Sequence, residues 1–385
     1  MSYLFPTYAR WEVEPKFAKG TYLTDKNGKK YLDFTSGIGV LNLGHQPQAV
    51  KEAVQKQMDR FWHISNLFTI AEQEEAAKML AEAAGLGAVF FANSGAEANE
   101  GAIKLARKAT KRTKIITFKQ SFHGRTYATM SATGQDKIKQ GFGPMLEGFV
   151  YVPFNDLQSL EKELDEETAA VMLEVVQGEG GVYPGSREFL QGTEKLCRKN
   201  GSLLIIDEVQ TGIGRTGKPF AFQHFDLDPD IVTSAKGLGS GFPIGAVIGK
   251  EYLKEYFGPG SHGSTFGGNP LAVAAATATM KIIFSEPFLQ EVRKKGEFFH
   301  GQLESSLKGI EIVKDIRGLG MMLGIELDAP ISKILKQLRT KGLLALSAGN
   351  NVLRLLPPLT ATKEELQKGV EIISAVLKEQ YVSAV

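Results

Sequence analysis

The stretch Leu203-Leu204-Ile205-Ile206-Asp207-Glu208-Val209-Gln210 is an apolar run that ends in a carboxylate, and the next such run, Asp230-Ile231-Val232-Thr233-Ser234, leads into Ala235-Lys236-Gly237-Leu238-Gly239. Short apolar runs bounded by Gly and Pro, with helical pattern between them, predict buried strands of a parallel sheet. Open α/β sheets hold their ligands at the carboxyl ends of the strands, so Asp207 and Lys236 are expected together at that edge. An acid beside an amine that glycines crowd suits the chemistry of pyridoxal phosphate. The lysine amine condenses with the cofactor aldehyde, and the carboxylate keeps the ring nitrogen protonated so that the ring can accept electrons from a breaking C–H bond.

Other readings compete. Any one lysine is most often a solvated surface group, and a hydrophobic strand ending in Asp-Glu also resembles the metal-binding strand of a nucleotide triphosphatase. Gly212-Ile213-Gly214-Arg215-Thr216-Gly217-Lys218 matches most of a phosphate-loop pattern. However, Pro219 stands where a Ser or Thr must hold Mg²⁺, and the segment follows the Asp-Glu strand instead of preceding it. The same residues match G-x-G-x-x-G, yet Glu208 to Thr211 separate them from their strand. Pro219 and Pro229 leave little room for the long helix of a dinucleotide fold. A nucleotide-binding regulator, the alternative of a different class, thus lacks its phosphate loop.

With 385 residues, 43% of them hydrophobic, the chain can bury a large core and is expected to form two domains, or one with a subsidiary lobe. Its 45 Lys and Arg nearly balance 43 Asp and Glu, without a basic stripe, which argues against nucleic acid or an anionic membrane as partner. Met1-Ser2-Tyr3-Leu4-Phe5-Pro6 carries no basic and apolar leader pattern, and no apolar run is long enough to span a bilayer. The one cysteine, Cys197, lies on a helical pattern as a small core residue and can form no intrachain disulfide. A cytoplasmic protein is expected, with no metal site.

Residues up to about Gly44 form short extended segments, with Asp25-Lys26-Asn27-Gly28 as a turn. From about Gln48, strands alternate with amphipathic helices. One unit runs from a strand over Ala169–Val176 through a helix over Arg187–Lys199, closed by Gly201, to the strand Leu203–Asp207. Another runs from Ala88–Phe91 through a helix from Gly95 to about Lys108 to the strand Lys114–Phe118. Beyond about Pro270 a helix over Leu271–Phe284, mixed segments, and a terminal helix Lys363–Glu379 follow, the last with Leu366, Val370, Ile373 and Leu377 on one face. The fold class is α/β, a large domain with a mainly parallel central sheet over residues 46–270, and a smaller α+β domain built from residues 1–45 and 271–385.

Ser94-Gly95-Ala96-Glu97 follows a strand and opens a helix; Ser94 and Glu97 have the spacing of a capping box. Such a helix start at the ligand edge is also an anion site, and beside Asp207 and Lys236 the amides of Gly95 and Ala96 suit a phosphate. Ser121-Phe122-His123-Gly124-Arg125-Thr126 follows the next strand. There Phe122 can stack on a flat ring and Arg125 can clamp a carboxylate, or they are a core aromatic and a surface arginine. His123 reads as structural or as a minor ring contact.

The order of Ser94-Gly95-Ala96-Glu97-Ala98-Asn99, Ser121-Phe122-His123-Gly124-Arg125, Ile206-Asp207-Glu208-Val209-Gln210-Thr211-Gly212, Ala235-Lys236-Gly237 and Gly263-Ser264-Thr265-Phe266-Gly267-Gly268-Asn269-Pro270 resembles the class III aminotransferases, of the fold type I pyridoxal phosphate architecture. The likeness spans essentially the whole chain. Pro6-Thr7-Tyr8-Ala9-Arg10, the stretch Tyr31-Leu32-Asp33-Phe34-Thr35-Ser36-Gly37-Ile38-Gly39-Val40, and Leu43-Gly44-His45 are similar to the bacterial acetylornithine aminotransferases within that family.

The resemblance implies that Lys236 carries the cofactor and Asp207 pairs with its ring nitrogen. It places Glu208, Val209 and Gln210 against the cofactor, Val209 on the ring and Gln210 near the ring hydroxyl, with Phe122 on the other face. Gly95 and Ala96 bind the phosphate, and Thr265 completes that site from the neighbouring subunit of a homodimer, with Ser264 near the substrate. Arg125 is implied as the carboxylate ligand for N2-acetylornithine. Arg354, in Val352-Leu353-Arg354-Leu355-Leu356-Pro357-Pro358, is implied as the α-carboxylate ligand for glutamate and 2-oxoglutarate, and Glu179, in Gln177-Gly178-Glu179-Gly180-Gly181, as the acid that gates it. Neutralising Arg354 while the terminal amine of the first substrate is bound lets one site serve both substrates, because a bare buried cation is costly. Ornithine, 4-aminobutyrate, succinylornithine and N-succinyl-diaminopimelate remain alternative amine donors.

Overall fold

A computed structural model describes residues 3–381; Met1 and Ser2, part of the start read for a leader, and residues 382–385 lie outside it. Its centre is a seven-stranded sheet in the order Ala88–Ala92, Gly245–Gly249, Ile231–Ser234, Leu203–Asp207, Thr168–Leu173, Lys114–Phe118, Phe149–Val152. Neighbouring strands run parallel from Ile231–Ser234 to Phe149–Val152. Gly245–Gly249 alone runs against its two neighbours. Every residue of Leu203–Asp207 and of Thr168–Leu173 is buried, as strands covered on both faces must be. Their side chains alternate between two cores. Val171, Leu204, Ile206 and Val232 belong to one, and Ala170, Met172, Ile205 and Ile231 to the other.

Helices fill both layers. In Arg187–Asn200 the Ser186 hydroxyl accepts from Phe189 N at 3.1 Å, and Gly201 stops the helix at φ 68°, a conformation that favours glycine. Phe189 packs edge-on against Phe118 and Phe154, with centroids 5.3 and 5.2 Å away. Burying a side chain of that size contributes roughly 1.5–3 kcal/mol. Cys197 is buried on the same helix, and burial pushes its thiol up, so it is a core residue. On the opposite face the helix Gly95–Thr110 buries Ala98, Ala102, Ile103 and Ala106, small residues that let it lie close on the sheet.

Pro15–Lys19, Tyr22–Asp25 and Lys30–Asp33 form a meander that Leu343–Leu344 joins in parallel. Val313–Leu319, Met322–Leu327, Val352–Leu355 and Leu346–Ala348 form a separate antiparallel sheet. Leu366, Val370, Ile373 and Leu377 of the helix Lys363–Tyr381 are buried, and this helix packs on Glu286–Leu307. The helix Pro270–Ile283 lies against the helices Gln48–Met58 and Ala71–Ala84 and the turn that starts at Lys236. Among the described residues no single helix is long and apolar enough to cross a membrane.

One strand differs from expectation. Thr168–Leu173 stops short of Val176, because the Glu174 carboxylate turns the chain by accepting from Gly178 N at 3.2 Å, and Val176–Gln177 pairs instead with Tyr183–Pro184. The segment Gly212–Lys218, rejected above as a phosphate loop, encloses a cation. Arg215 is fully buried and donates to Asn42 Oδ1 at 2.6 Å and to the carbonyls of Pro357 and Met321 at 2.5 and 3.2 Å. Burial pulls its guanidinium down to about 9.

Candidate active site

The pairing of Asp207 with Thr233 in adjacent parallel strands brings Asp207 and the turn after Ser234 to the same sheet edge. Lys236 opens that turn at φ 44°, a conformation that costs a side-chain-bearing residue on the order of 1–3 kcal/mol and is found where the surroundings enforce it. Gly237 follows because a Cβ there would lie 2.3 Å from Asn42 Nδ2. Both Asp207 and Lys236 line a cavity of about 410 Å³, together with Gly95, Ala96, Phe122 and Arg125.

No hydrogen bond or ion pair holds the Lys236 amine among the described residues. Desolvation lowers its pKa and Arg354 adds to that effect, against the pull of Glu179, Asp207 and Glu174. A buried amine that sheds its proton more readily than usual is a better nucleophile and base.

Asp207 is held by three donors. Val209 N donates to Oδ1 at 3.0 Å, while Asn99 Nδ2 at 2.7 Å and His123 Nδ1 at 2.8 Å meet Oδ2. Thr233 Oγ1 donates to Asn99 Oδ1 at 2.7 Å, which aims the Asn99 amide at Asp207. Glu174 lies on the same wall and accepts from Phe122 N at 3.0 Å. Burial pushes its carboxyl up to about 7, with His123 opposing and Asp207 reinforcing the rise. Asn99 and Glu174 were not expected at the site, and His123 only as structural or as a minor ring contact. Glu174 had the signal that marked Asp207, since it too closes an apolar strand.

At the other end of the cavity the Gly95 helix presents its N-terminus. Ser94 Oγ accepts from Glu97 N at 3.2 Å, and the Glu97 carboxylate bonds Asn93 N at 2.9 Å, so the cap is real. Gly95 and Ala96 line the cavity, and first-turn amides have no acceptor within their own helix. A Cβ on Gly95 would sit 2.7 Å from Val209 Cγ1, so this helix start fits against Val209 only as glycine. The cap and the anion cradle therefore coexist.

Arg354 is 2% exposed and lies behind the cavity wall. Its Nη1 donates to Glu179 Oε1 at 2.6 Å and to Gln210 Oε1 at 3.1 Å, and Gln210 lines the cavity. Burial alone would raise the Glu179 carboxyl, but Arg354, then Lys236, hold it below the ordinary range. Arg125 stands at the exposed mouth, with its guanidinium carbon 5.7 Å from the Phe122 ring centroid and no acid paired to it among the described residues.

Glu208 lies elsewhere, and Ser264 and Thr265, the latter expected to serve the neighbouring subunit, lie outside this cavity. Glu208, read as a cofactor contact, turns away from the cavity. Its carboxylate accepts from Thr211 Oγ1 at 2.5 Å and Phe222 N at 2.8 Å, inside the core, where burial pushes it up to about 7. Ser264 and Thr265 line a neighbouring hollow with Asn93 and His262, outside the Lys236 cavity of their own chain. Ser264 Oγ is engaged by Asn93 Nδ2 at 3.1 Å and Gly267 N at 2.9 Å.

The donor set fits pyridoxal phosphate. Two amides at a helix N-terminus suit the phosphate, a fixed carboxylate suits the ring nitrogen, and an unpartnered amine suits the aldehyde.

Comparison with known proteins agrees. The family description "Aminotransferase class-III" matches residues 7–377. An acetylornithine aminotransferase of Bacillus subtilis (strain 168) is 63% identical over 372 residues, 96% of each chain. One of Halalkalibacterium halodurans is 58% identical over the whole of both chains. The crystal structure of the ornithine aminotransferase from Toxoplasma gondii superposes with a TM-score of 0.95 at 33% identity, covering 99% of this chain and 94% of that one. A sheet edge that pairs a fixed acid with a free amine, and a family match across nearly the full length, lead to one conclusion: this chain belongs to the class III aminotransferases and is a pyridoxal-phosphate-dependent transaminase.

Proposed function

We propose that the chain is an acetylornithine aminotransferase of the cytoplasm. It transfers the 5-amino group of N2-acetyl-L-ornithine to 2-oxoglutarate and yields N-acetyl-L-glutamate 5-semialdehyde and L-glutamate. Relatives of that name, 53–63% identical over nearly the whole chain, support the reading. The observation that carries it is the Glu179–Arg354 pair at 2.6 Å, one hydrogen bond behind Gln210, while Arg125 stands unpaired at the mouth.

When bound, pyridoxal phosphate supplies an aldehyde for the amine and a ring that accepts the electron pair left when the amine-bearing carbon loses its proton. Gly95 and Ala96 amides would hold the phosphate, Phe122 and Val209 would close on the ring, and Asp207 would hold the proton on the ring nitrogen. Lys236 would tether the cofactor and serve as the base that takes the proton from the amine-bearing carbon. Arg125 binds the carboxylate of acetylornithine while Glu179 neutralises Arg354. When glutamate enters, Glu179 swings away and Arg354 takes the α-carboxylate.

Glu179→Ala should therefore slow the single-turnover reaction with acetylornithine while that with glutamate holds or improves. Arg354→Ala should cripple the glutamate half more. The coupling is expected to be about 1–3 kcal/mol, as for a buried pair losing one member. Equal losses in both halves, in both variants, would reduce Glu179 to a loop scaffold. Ornithine, 4-aminobutyrate and the succinylated diamines would use the same two arginines, and a steady-state comparison of donors at fixed 2-oxoglutarate decides among them.

The active form is a homodimer in which Thr265 reaches the partner's phosphate site. Its supports are the exposed position of Thr265 and the exposed apolar residues near it: Trp62, Leu67, Phe68 and Phe266. Asn66, between them, donates to the carbonyls of Ser264 and Gly267 at 3.1 and 2.9 Å. Mixing inactive Lys236→Ala chains with inactive Thr265→Glu chains should restore about a quarter of the activity, since half the dimers are mixed and each keeps one intact site. No recovery despite proven subunit exchange would place Thr265 in service of its own chain.

A further inference from the structure

We propose that Glu174 is a positioning residue of the ring-nitrogen end of the site, acting on the Asp207 carboxylate through His123. The proposal rests on the assignment of Lys236 and Asp207 to the cofactor.

His123 is buried beside Asp207, and its charge acts on Glu174. Its Nδ1 is committed to Asp207 Oδ2 at 2.8 Å, and its Nε2 is buried with no partner among the described residues. An imidazole nitrogen stranded beside a cavity lacks an acceptor or a donor, and such groups are costly unless something meets them. The acid at hand is Glu174. It shares the cavity wall, and the charges that act on it most are those of His123 and Asp207. No lysine or arginine pairs with it among the described residues.

Each Glu174 oxygen is held by one backbone amide. Oε2 accepts from Phe122 N at 3.0 Å and Oε1 from Gly178 N at 3.2 Å. A carboxylate accepts about four hydrogen bonds, so lone pairs remain through which Glu174 can reach His123 Nε2 across one water. The two amides precede His123 and Glu179 in sequence, so Glu174 also keeps the ring-stacking loop in register with the turn that carries the gating acid.

Burial pushes the Glu174 carboxyl up to about 7, with desolvation the main cause. The charged groups around it are His123, Asp207 and Lys236, with the Glu179–Arg354 pair beyond. When ionised, Glu174 adds a negative charge on the far side of His123 and strengthens the hold on a proton at the ring nitrogen. A glutamate that merely pins two loops would alter thermal stability and leave that proton alone.

The test uses holoenzyme loaded with pyridoxal phosphate carrying ¹⁵N in the ring, whose chemical shift reports the ring-nitrogen proton without turnover. In Glu174→Gln the pH midpoint of that proton should fall by about one unit, the scale of one charge across a partly buried site. The dissociation constant for pyridoxal phosphate should rise about tenfold in step. In a His123→Asn background the same substitution should change each quantity less than about twofold, because the relay is already cut. An unmoved midpoint and affinity in Glu174→Gln would overturn the proposal. Equal shifts in both backgrounds would also overturn it, since Glu174 would then act directly through space. If Glu174→Gln does not fold, Glu174→Asp, which keeps the charge but draws it back from His123, should give a fall in the same direction, and no fall counts against the proposal. Glu208→Gln, a buried acid outside the cavity, should leave the midpoint in place. Borohydride reduction of the unsubstituted holoenzyme separates the levels. A pyridoxyl mark absent from Lys236 overturns the site assignment and this proposal with it, whereas a mark on Lys236 with an unmoved midpoint overturns the proposal alone.

Discussion

Lys236→Ala is expected to lower kcat by at least about 10⁴-fold, the upper range for loss of a positioned proton-transfer group, because the variant loses the tether as well as the base. The fold should tolerate the change well. The amine has no hydrogen-bond or ion-pair partner to orphan among the described residues, and desolvation already opposes its charge. The backbone strain at φ 44° is the same for alanine as for lysine, so the thermal transition should stay within a few degrees or rise. Borohydride reduction followed by peptide mapping should find the pyridoxyl mass on the Lys236 peptide of the unsubstituted protein and nowhere in the variant. Activity above a hundredth of the original, or a mark on another lysine, would remove Lys236 from the chemistry.

Asp207→Asn should lower kcat by about 10²–10³-fold, the scale of losing one preorganised electrostatic partner at a developing charge. It should also carry a stability cost that its near-identical shape conceals. Asp207 accepts from Val209 N on one oxygen and from Asn99 and His123 on the other. An asparagine can keep the Val209 bond with its carbonyl, and His123 can change tautomer to accept from the new amide. Asn99 cannot adapt, because its Nδ2 also donates to the His123 carbonyl at 2.8 Å, and a flip would set its oxygen against that carbonyl. One unmatched buried donor costs about 1–3 kcal/mol. The expected result is a folded protein of lowered Tm that still binds pyridoxal phosphate and turns over poorly with both amino donors. Activity within a few-fold of the original would mean that Asp207 is not the partner of the ring nitrogen.

Local chemistry made much of this protein legible in one dimension. The fully apolar run Leu203–Ile206 predicted a buried strand because only a strand covered on both faces can be apolar at every position. The helix cap at Ser94 and the stop at Gly201 were readable because each depends on a few adjacent residues. Asp207 and Lys236 were placed together by the rule that parallel strands end at one edge. Glu208 was misplaced through a neighbour effect, since successive residues leaving a strand face opposite ways. Asp207 turns to the cavity and Glu208 to the core near Phe222.

What no local pattern specified is the company each group keeps. The donors around Asp207 come from a helix at Asn99, a loop at His123 and the strand end itself. Glu179 meets Arg354 across 175 positions of chain. The gating pair and the His123–Asp207 contact exist because packing of the central sheet against the chain ends brings remote side chains within hydrogen-bond reach. Burial then decides their charge: Glu174 is pushed up to about 7 while Glu179, with Arg354 against it, is held down. The sequence alone determined which residues have the chemistry for transamination and at which edge of the sheet they stand. Only the tertiary structure decided which of them are paired, which are left free, and which acid carries a proton, because those depend on distance and desolvation, which spacing along a chain does not encode.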